Sequence, residues 1–263
     1  MGRVILIVLD GLRPDAVRHP VFEQLKAEGS WTDRALSLDP PITFPVHVSL
    51  FTGLLPSEHG FTDNTAPKED CGLMTVPEMA FKKGLKTAWF ADWEPFLHIV
   101  KREALSILEY TDPETLRHTA LEDKIHAQIA WTERATEVLR SHRADFLFFH
   151  YMLLDHMGHR YGWMSEPYLA AADLAGECVG ILADALEPDD TFIVMSDHGG
   201  HDRDHFDPGD PRDMTVPLRC VGRGFGARTE LMNVSLIDIA PTLAELMRLD
   251  GTFRGRSLIN NRL

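Results

Sequence analysis

Apolar runs in this chain end repeatedly on an aspartate. "VILIVL" (Val4–Leu9) runs into Asp10, "ADFLFFHYML" (Ala144–Leu153) is followed within two residues by Asp155, and "TFIVMS" (Thr191–Ser196) runs into Asp197. A strand with one wet face alternates polar and apolar residues, so unbroken runs of this kind read as strands covered on both faces. A sheet made of such strands needs helices over each face. The stretches between them supply these. Helical signals appear in "RPDAVRHPVFEQLKAEG", ending at Gly29, and in a helix starting at Pro45. They recur in "EDKIHAQIAWTERATEVLRSH", "EPYLAAADLAGECVGILADAL" and "LIDIAPTLAELMRL", the last with Asp238 as cap and Pro241 in its first turn. "LKTAWFA" (Leu85–Ala91) and "VPLRCVG" (Val216–Gly222) add further strands. The pattern predicts an α/β fold with a mostly parallel central β-sheet and helices on both faces.

A length of 263 residues suits one domain, 1–263, with a small cap or insert around residues 93–121, where polar and aromatic residues alternate without a motif. No repeat, low-complexity tract or linker interrupts it. The N-terminal run is six residues long and ends on a charge, too short for a signal peptide core or a membrane span. With no longer apolar segment, the expectation is a soluble, cytoplasmic chain with no membrane partner. Nothing in the sequence speaks to oligomeric state. The net charge of −14 argues against a nucleic-acid scaffold role, which calls for a basic face. It is compatible with a small phosphorylated substrate, because bound cations reverse the field locally. Cys71, Cys178 and Cys220 are odd in number, far apart and without a CxxC pair, so reduced, mostly buried thiols are expected.

In open α/β sheets, ligands gather at the carboxyl ends of the strands. There the sequence places Asp10 after one strand, Asp155, His156 and His159 after another, and Asp197 and His198 after a third. Any one of these would be a cap, a turn or a surface pair; Asp155 and His159, for instance, are simply i, i+4 neighbours. Three strands delivering carboxylate and imidazole to one edge point to a site. Mixed Asp and His donors suit two borderline divalent ions, zinc first and manganese as the alternative, better than calcium or magnesium. Two such ions can hold the entering and leaving oxygens of a phosphoryl displacement. Thr43, just before Pro45, supplies a candidate nucleophile where a helix N-terminus favours an anion.

The segments "VILIVLDGLRPD", "TFPVHVSLFTGLLPSEHGFTDN", "DHMGHRYG" and "SDHGGHDRDH" together resemble the alkaline phosphatase superfamily, and within it the type I phosphodiesterase and nucleotide pyrophosphatase family, as a compact member. The resemblance implies a three-layer sandwich and a two-metal phosphohydrolase acting through a covalent phosphothreonine intermediate on a phosphodiester or nucleotide. It makes Thr43 nucleophile and ligand. One ion would be held by Asp10, Thr43, Asp197 and His198, the other by Asp155, His159 and a later histidine. For that last ligand loop reach favours His205, with His201 as the alternative. Asn64 matches the residue that contacts a nonbridging phosphate oxygen. Phe44 is a candidate to stack on substrate, with Trp93, Phe96 and Tyr161 as weaker ones. His47 and His59 read as structural hydrogen-bonders, and His156 as a residue that orients the metal set. Among rivals, a sulfatase would need C/S-x-P-x-R, which "TFPVH" lacks, and a phosphomutase would bring a larger second domain. A phosphomonoesterase, another phosphotransferase, or a metal-binding module without turnover are the remaining alternatives.

Overall fold

The computed structural model of the chain describes residues 2–111 and 121–259. Its strands are β1 (Val4–Leu9), β2 (Ser30–Leu36), β3 (Thr87–Ala91), β4 (Ile107–Tyr110), β5 (Phe146–Tyr151), β6 (Thr191–Met195), β7 (Thr215–Gly222) and β8 (Thr229–Glu230). Its helices are α1 (Pro20–Glu28), α2 (Thr43–Thr52), α3 (Pro56–His59), α4 (Val76–Lys82), α5 (Leu121–Arg140), α6 (Leu153–Tyr161), α7 (Glu166–Ala183), α8 (Pro211–Met214) and α9 (Ile239–Met247). The strands form one sheet in the order β4-β3-β5-β1-β6-β7-β2-β8. Only β7 runs against the rest, pairing antiparallel with both β6 and β2. The expected fold class is the one found.

The unbroken apolar runs are buried on both sides, as their composition requires. Val4, Leu6 and Val8 of β1 point into one core with α2, α4 and α9, whereas Ile5, Ile7 and Leu9 point into the other with α1, α5 and α7. Two cores on either side of one sheet make the three layers.

Two expectations need adjusting. The segment from Arg13 to Gly29 is a single-turn 3-10 helix at Pro14–Ala16 followed by α1, because Pro20 has no N–H to carry a helix through it and sits instead at a helix start. Helix α2 begins at Thr43, two residues before Pro45, with Ile42 as its cap residue. Of residues 93–121, Glu94–His98 and Arg102–Ala104 form short 3-10 turns, and β4 joins the sheet edge in parallel with β3. The part of that stretch from 112 to 120 lies outside the described residues.

Candidate active site

Four strands send chemistry to one sheet edge. Asp10 follows β1, Asp92 follows β3, Asp155 lies in the first turn of α6 just after β5, and Asp197 and His198 follow β6. The backbone turns sharply after Asp10, where Gly11 has φ +73, a region that favours glycine. Its carbonyl accepts from Trp163 Nε1 (2.9 Å) and from the Tyr168 hydroxyl (2.8 Å), and its N–H donates to Asp197 Oδ1 (3.2 Å). Ser196 ties the ends of β1 and β6 together: its Oγ accepts from Leu12 N at 2.8 Å and lies 2.7 Å from the Leu9 carbonyl. Gly199 and Gly200 are needed for close approach rather than for turning. A Cβ on Gly199 would lie 1.9 Å from the Arg212 carbonyl oxygen, and one on Gly200 would lie 2.1 Å from a Trp163 ring carbon.

Asp10, Asp197 and His198 bring ligand atoms within 4.8 Å of one another, and so do Asp155, His198 and His205. His159 Nε2 joins the second group, 3.3 Å from Asp155 Oδ1, with His205 Nε2 at 3.7 Å from the same oxygen. Thr43 Oγ1 is 3.2 Å from His198 Nε2, which also lies 3.2 Å from Asp10 Oδ1 and 3.4 Å from Asp197 Oδ2. An isolated Thr at a helix start is usually a cap, but here Ile42 is the cap residue and Thr43 is the first helical residue.

The histidines are oriented alike. Nδ1–H of His198 donates to the Gly199 carbonyl (2.9 Å), that of His159 to Arg203 (2.9 Å) and that of His205 to Pro41 (2.8 Å). A carbonyl can only accept, so each Nδ1 carries the proton and each Nε2 is turned to the site, the arrangement of imidazole ligands. Asp10 Oδ1, Asp155 Oδ1 and Asp197 Oδ2 are buried without a hydrogen bond. Three buried carboxylate oxygens left without donors beside three Nε2 atoms fit divalent cations, since such oxygens are costly unless something positive meets them.

The electrostatics agree. Burial works to raise Asp10, but contacts from His150 and His198 hold it well below the usual carboxylate range. Burial, helped by the Asp10 charge, pushes Asp197 up to about 7. His198 is raised to about 10: burial opposes its charge, and Asp197 and Asp10 overcome it. His159 rises to about 9 against burial, chiefly through Asp155. His205 is pressed down to about 4 by burial and by the His198 charge. Protons thus occupy positions in which a metal would offset the same negative charge.

Asn64 Oδ1 accepts from Phe44 N at 3.0 Å, which holds the amide beside the α2 N-terminus. Phe44 itself is a correction. Its ring is 0% exposed, edge-on to Phe61 at 5.4 Å within the core, and so is not presented for stacking on a substrate. Phe96 is likewise buried, against His47 and His150, whereas Trp93 is half-buried and Tyr161 exposed. His201 turns away from the cluster. Its Nδ1 lies 2.7 Å from Asp213 Oδ1, Asp213 Oδ2 accepts from Asp207 N, and Asp210 pairs with Arg212, so this trio clasps the loop closed. His47 donates from Nδ1 to the Thr43 carbonyl (2.7 Å), and His59 lies 3.0 Å from Ser49 Oγ, both structural as read. His156 is half-buried between Asp155 and His159. The three cysteines are free. No helix among the described residues is long and apolar enough to cross a membrane.

Two residues escaped the sequence reading. Asp92 follows β3 as Asp10 follows β1, so the same strand-then-aspartate rule would have found it. His150 is an imidazole inside the otherwise apolar and aromatic run of β5.

A family model described as type I phosphodiesterase / nucleotide pyrophosphatase matches residues 4–211. Venom phosphodiesterase 2 of Crotalus adamanteus is 25% identical over 217 residues, which cover 74% of this chain and 26% of that protein. The human ectonucleotide pyrophosphatase/phosphodiesterase family member 1 is 27% identical over 222 residues, covering 74% of this chain and 23% of that protein. The chain therefore spans about a quarter of the length of these curated relatives. Among solved structures, murine ectonucleotide pyrophosphatase/phosphodiesterase 5, an inactive variant in complex with AMP, superposes with a TM-score of 0.74 at 14% identity and covers 97% of each chain. At that identity the likeness is one of fold.

Proposed function

The chain belongs to the type I phosphodiesterase / nucleotide pyrophosphatase family, and on that premise we propose that it hydrolyses a phosphodiester or nucleotide with Thr43 as nucleophile at a two-metal centre. The observation that carries this reading is Thr43 Oγ1 at the first residue of α2, 3.2 Å from His198 Nε2 and beside three buried carboxylate oxygens that lack donors. Asp10, Asp197, His198 and Thr43 would hold one ion, and Asp155, His159 and His205 the other; the mixed Asp and His donors favour zinc over magnesium. Two divalent ions there would supply the positive charge that lowers the hydroxyl's hold on its proton and offsets charge on the phosphoryl oxygens.

The protein's own groups do the rest. Thr43 Oγ1 attacks phosphorus in line with the leaving oxygen, the phosphorus–oxygen bond to the leaving group breaks, and a phosphothreonine forms. Water then hydrolyses it and restores the hydroxyl. The Phe44 N–H is committed to Asn64 Oδ1, which leaves the Asn64 amide as the donor for a nonbridging oxygen. An uncharged amide where a monoesterase would place an arginine clamp favours a diester, which carries one charge fewer.

The test is the chelator-stripped protein reloaded with zinc or manganese and assayed on bis-p-nitrophenyl phosphate, p-nitrophenyl phosphate and an aryl sulfate. The diester should be cleaved fastest. Thr43→Ala should lose on the order of 10³-fold or more in kcat while keeping most of its metal. Undiminished turnover in that variant would remove Thr43 as nucleophile, and a preference for the sulfate would redirect the reading.

A further inference from the structure

Behind Asp10 lies a chain of buried groups that the phosphoryl chemistry above does not use. His150, the fifth residue of β5, is fully buried, and its Nδ1 lies 2.6 Å from Asp92 Oδ1. A carboxylate only accepts, so Nδ1–H donates to it. The other oxygen of Asp92 accepts from Met152 N at 2.8 Å, which anchors the carboxylate to the backbone just past β5. On the far side of the ring, His150 Nε2 lies 3.3 Å from Asp10 Oδ2. Asp10 Oδ1, by contrast, faces His198 Nε2 at 3.2 Å. The imidazole is walled in by Phe96, edge-on at 4.4 Å, and by His47 at 5.1 Å. It has no room to swing away.

Resting on the two-metal reading, we propose that His150, held by Asp92, is a positioning residue that sets the rotation of the Asp10 carboxylate, engaging Oδ2 from behind and presenting Oδ1 to the ion shared with Asp197 and His198. A phenylalanine would fill the same aromatic cage without burying an imidazole and a second carboxylate, a burial that is costly unless the groups do something. The groups come from neighbouring strands in a fixed register: β5 lies between β1 and β3, with His150 opposite Val8. The sheet itself therefore aligns Asp92, His150 and Asp10. Partners of this kind that orient a ligand typically change metal affinity by about 10–100-fold when removed.

The experiment is a zinc titration of chelator-stripped protein against a chromophoric chelator, giving stoichiometry and both affinities, for wild type, His150→Phe and His150→Gln. Wild type should bind two ions. In His150→Phe one ion should weaken by about 10–100-fold while the other is unchanged, and because the Asp92 and Asp10 carboxylates lose their imidazole partner, the metal-free protein should melt lower than wild type at pH 7. His150→Gln keeps an N–H donor but cannot reach both carboxylates, so its loss should be smaller. Wild-type affinity for both ions in His150→Phe overturns the assignment, as does equal weakening of both. Should that variant not fold, wild-type affinity in His150→Gln overturns it. A wild-type protein that takes up no zinc would instead remove the two-metal reading itself.

Discussion

Asp197 shows at the scale of one residue what a buried carboxylate costs when no cation meets it. It is wholly buried, Oδ2 has no donor, and burial with the Asp10 charge pushes its carboxyl to about 7. An unfolded aspartate titrates near 4. Between those values the native state binds more protons than the unfolded one, so stability falls as pH rises through that window. Asp197→Asn removes that penalty. In chelator-treated protein at pH 7.5 it should gain about 1–3 kcal/mol, the usual cost of a buried unsatisfied group, read as a higher Tm than wild type, while zinc binding is lost. A lower Tm would mean that the carboxylate is already satisfied without metal. The same residue explains what was legible. Asp10, Asp155 and Asp197 stand out together, because three buried strands deliver an aspartate to the same edge, although any one alone would pass for a cap or a turn. Asp92 obeys the same rule but precedes an irregular stretch, and His150 hides within a run whose apolar neighbours define it as core. Phe44 sits beside Thr43, the proposed nucleophile, in sequence, but a helical turn that begins at Thr43 carries its ring into the core.

At the scale of the element, the strands read from composition were those buried on both faces. β2 was not among them, because "SWTDRAL" mixes polar and apolar residues on both its buried and its exposed positions, Ser30 and Thr32 buried while Trp31 and Leu36 are not, and antiparallel pairing with β7 tolerates that. β4 and β8, of four and two residues, are too short to carry a pattern. The loop after β6 shows why the site's shape is harder to read than its composition. Its two glycines look like turn formers, yet among the described residues neither has a positive φ, and both are small because Arg212 and Trp163 press on them. Gly200→Ala would drive a methyl into the Trp163 ring, which packs 5.1 Å from His159 and 5.8 Å from His205 and anchors the Gly11 carbonyl. Overpacking of this kind costs about 1–3 kcal/mol. The loss should appear in thermal melting and be accompanied by weaker zinc binding at the second proposed ion site, Asp155, His159 and His205. A neutral effect on both would show that the loop can move aside.

The whole molecule joins these local penalties into one dependence on pH. His198 and His150 are raised to about 10 and His159 to about 9, each against burial, by carboxylates that gather at the sheet edge. An unfolded histidine titrates near 6.5. The folded values lie above that, so the stabilisation is fully present below about 6.5 and is lost as pH rises through 9 to 10. Metal-free protein should therefore melt progressively lower from pH 7 to pH 10. Ions that took over the same charges would hold the loaded protein's Tm nearly level over that range. Loading has a proton cost that follows from the same values. His198 and His159 must each give up the proton on Nε2, whereas His205, held at about 4, is already neutral. Zinc uptake at pH 7.5 should thus release roughly two protons, and affinity should rise with pH. Calorimetry in buffers of different ionisation heat measures that number directly. A release near zero would mean that the histidines are already neutral in the metal-free protein and that no protons stand where the ions bind.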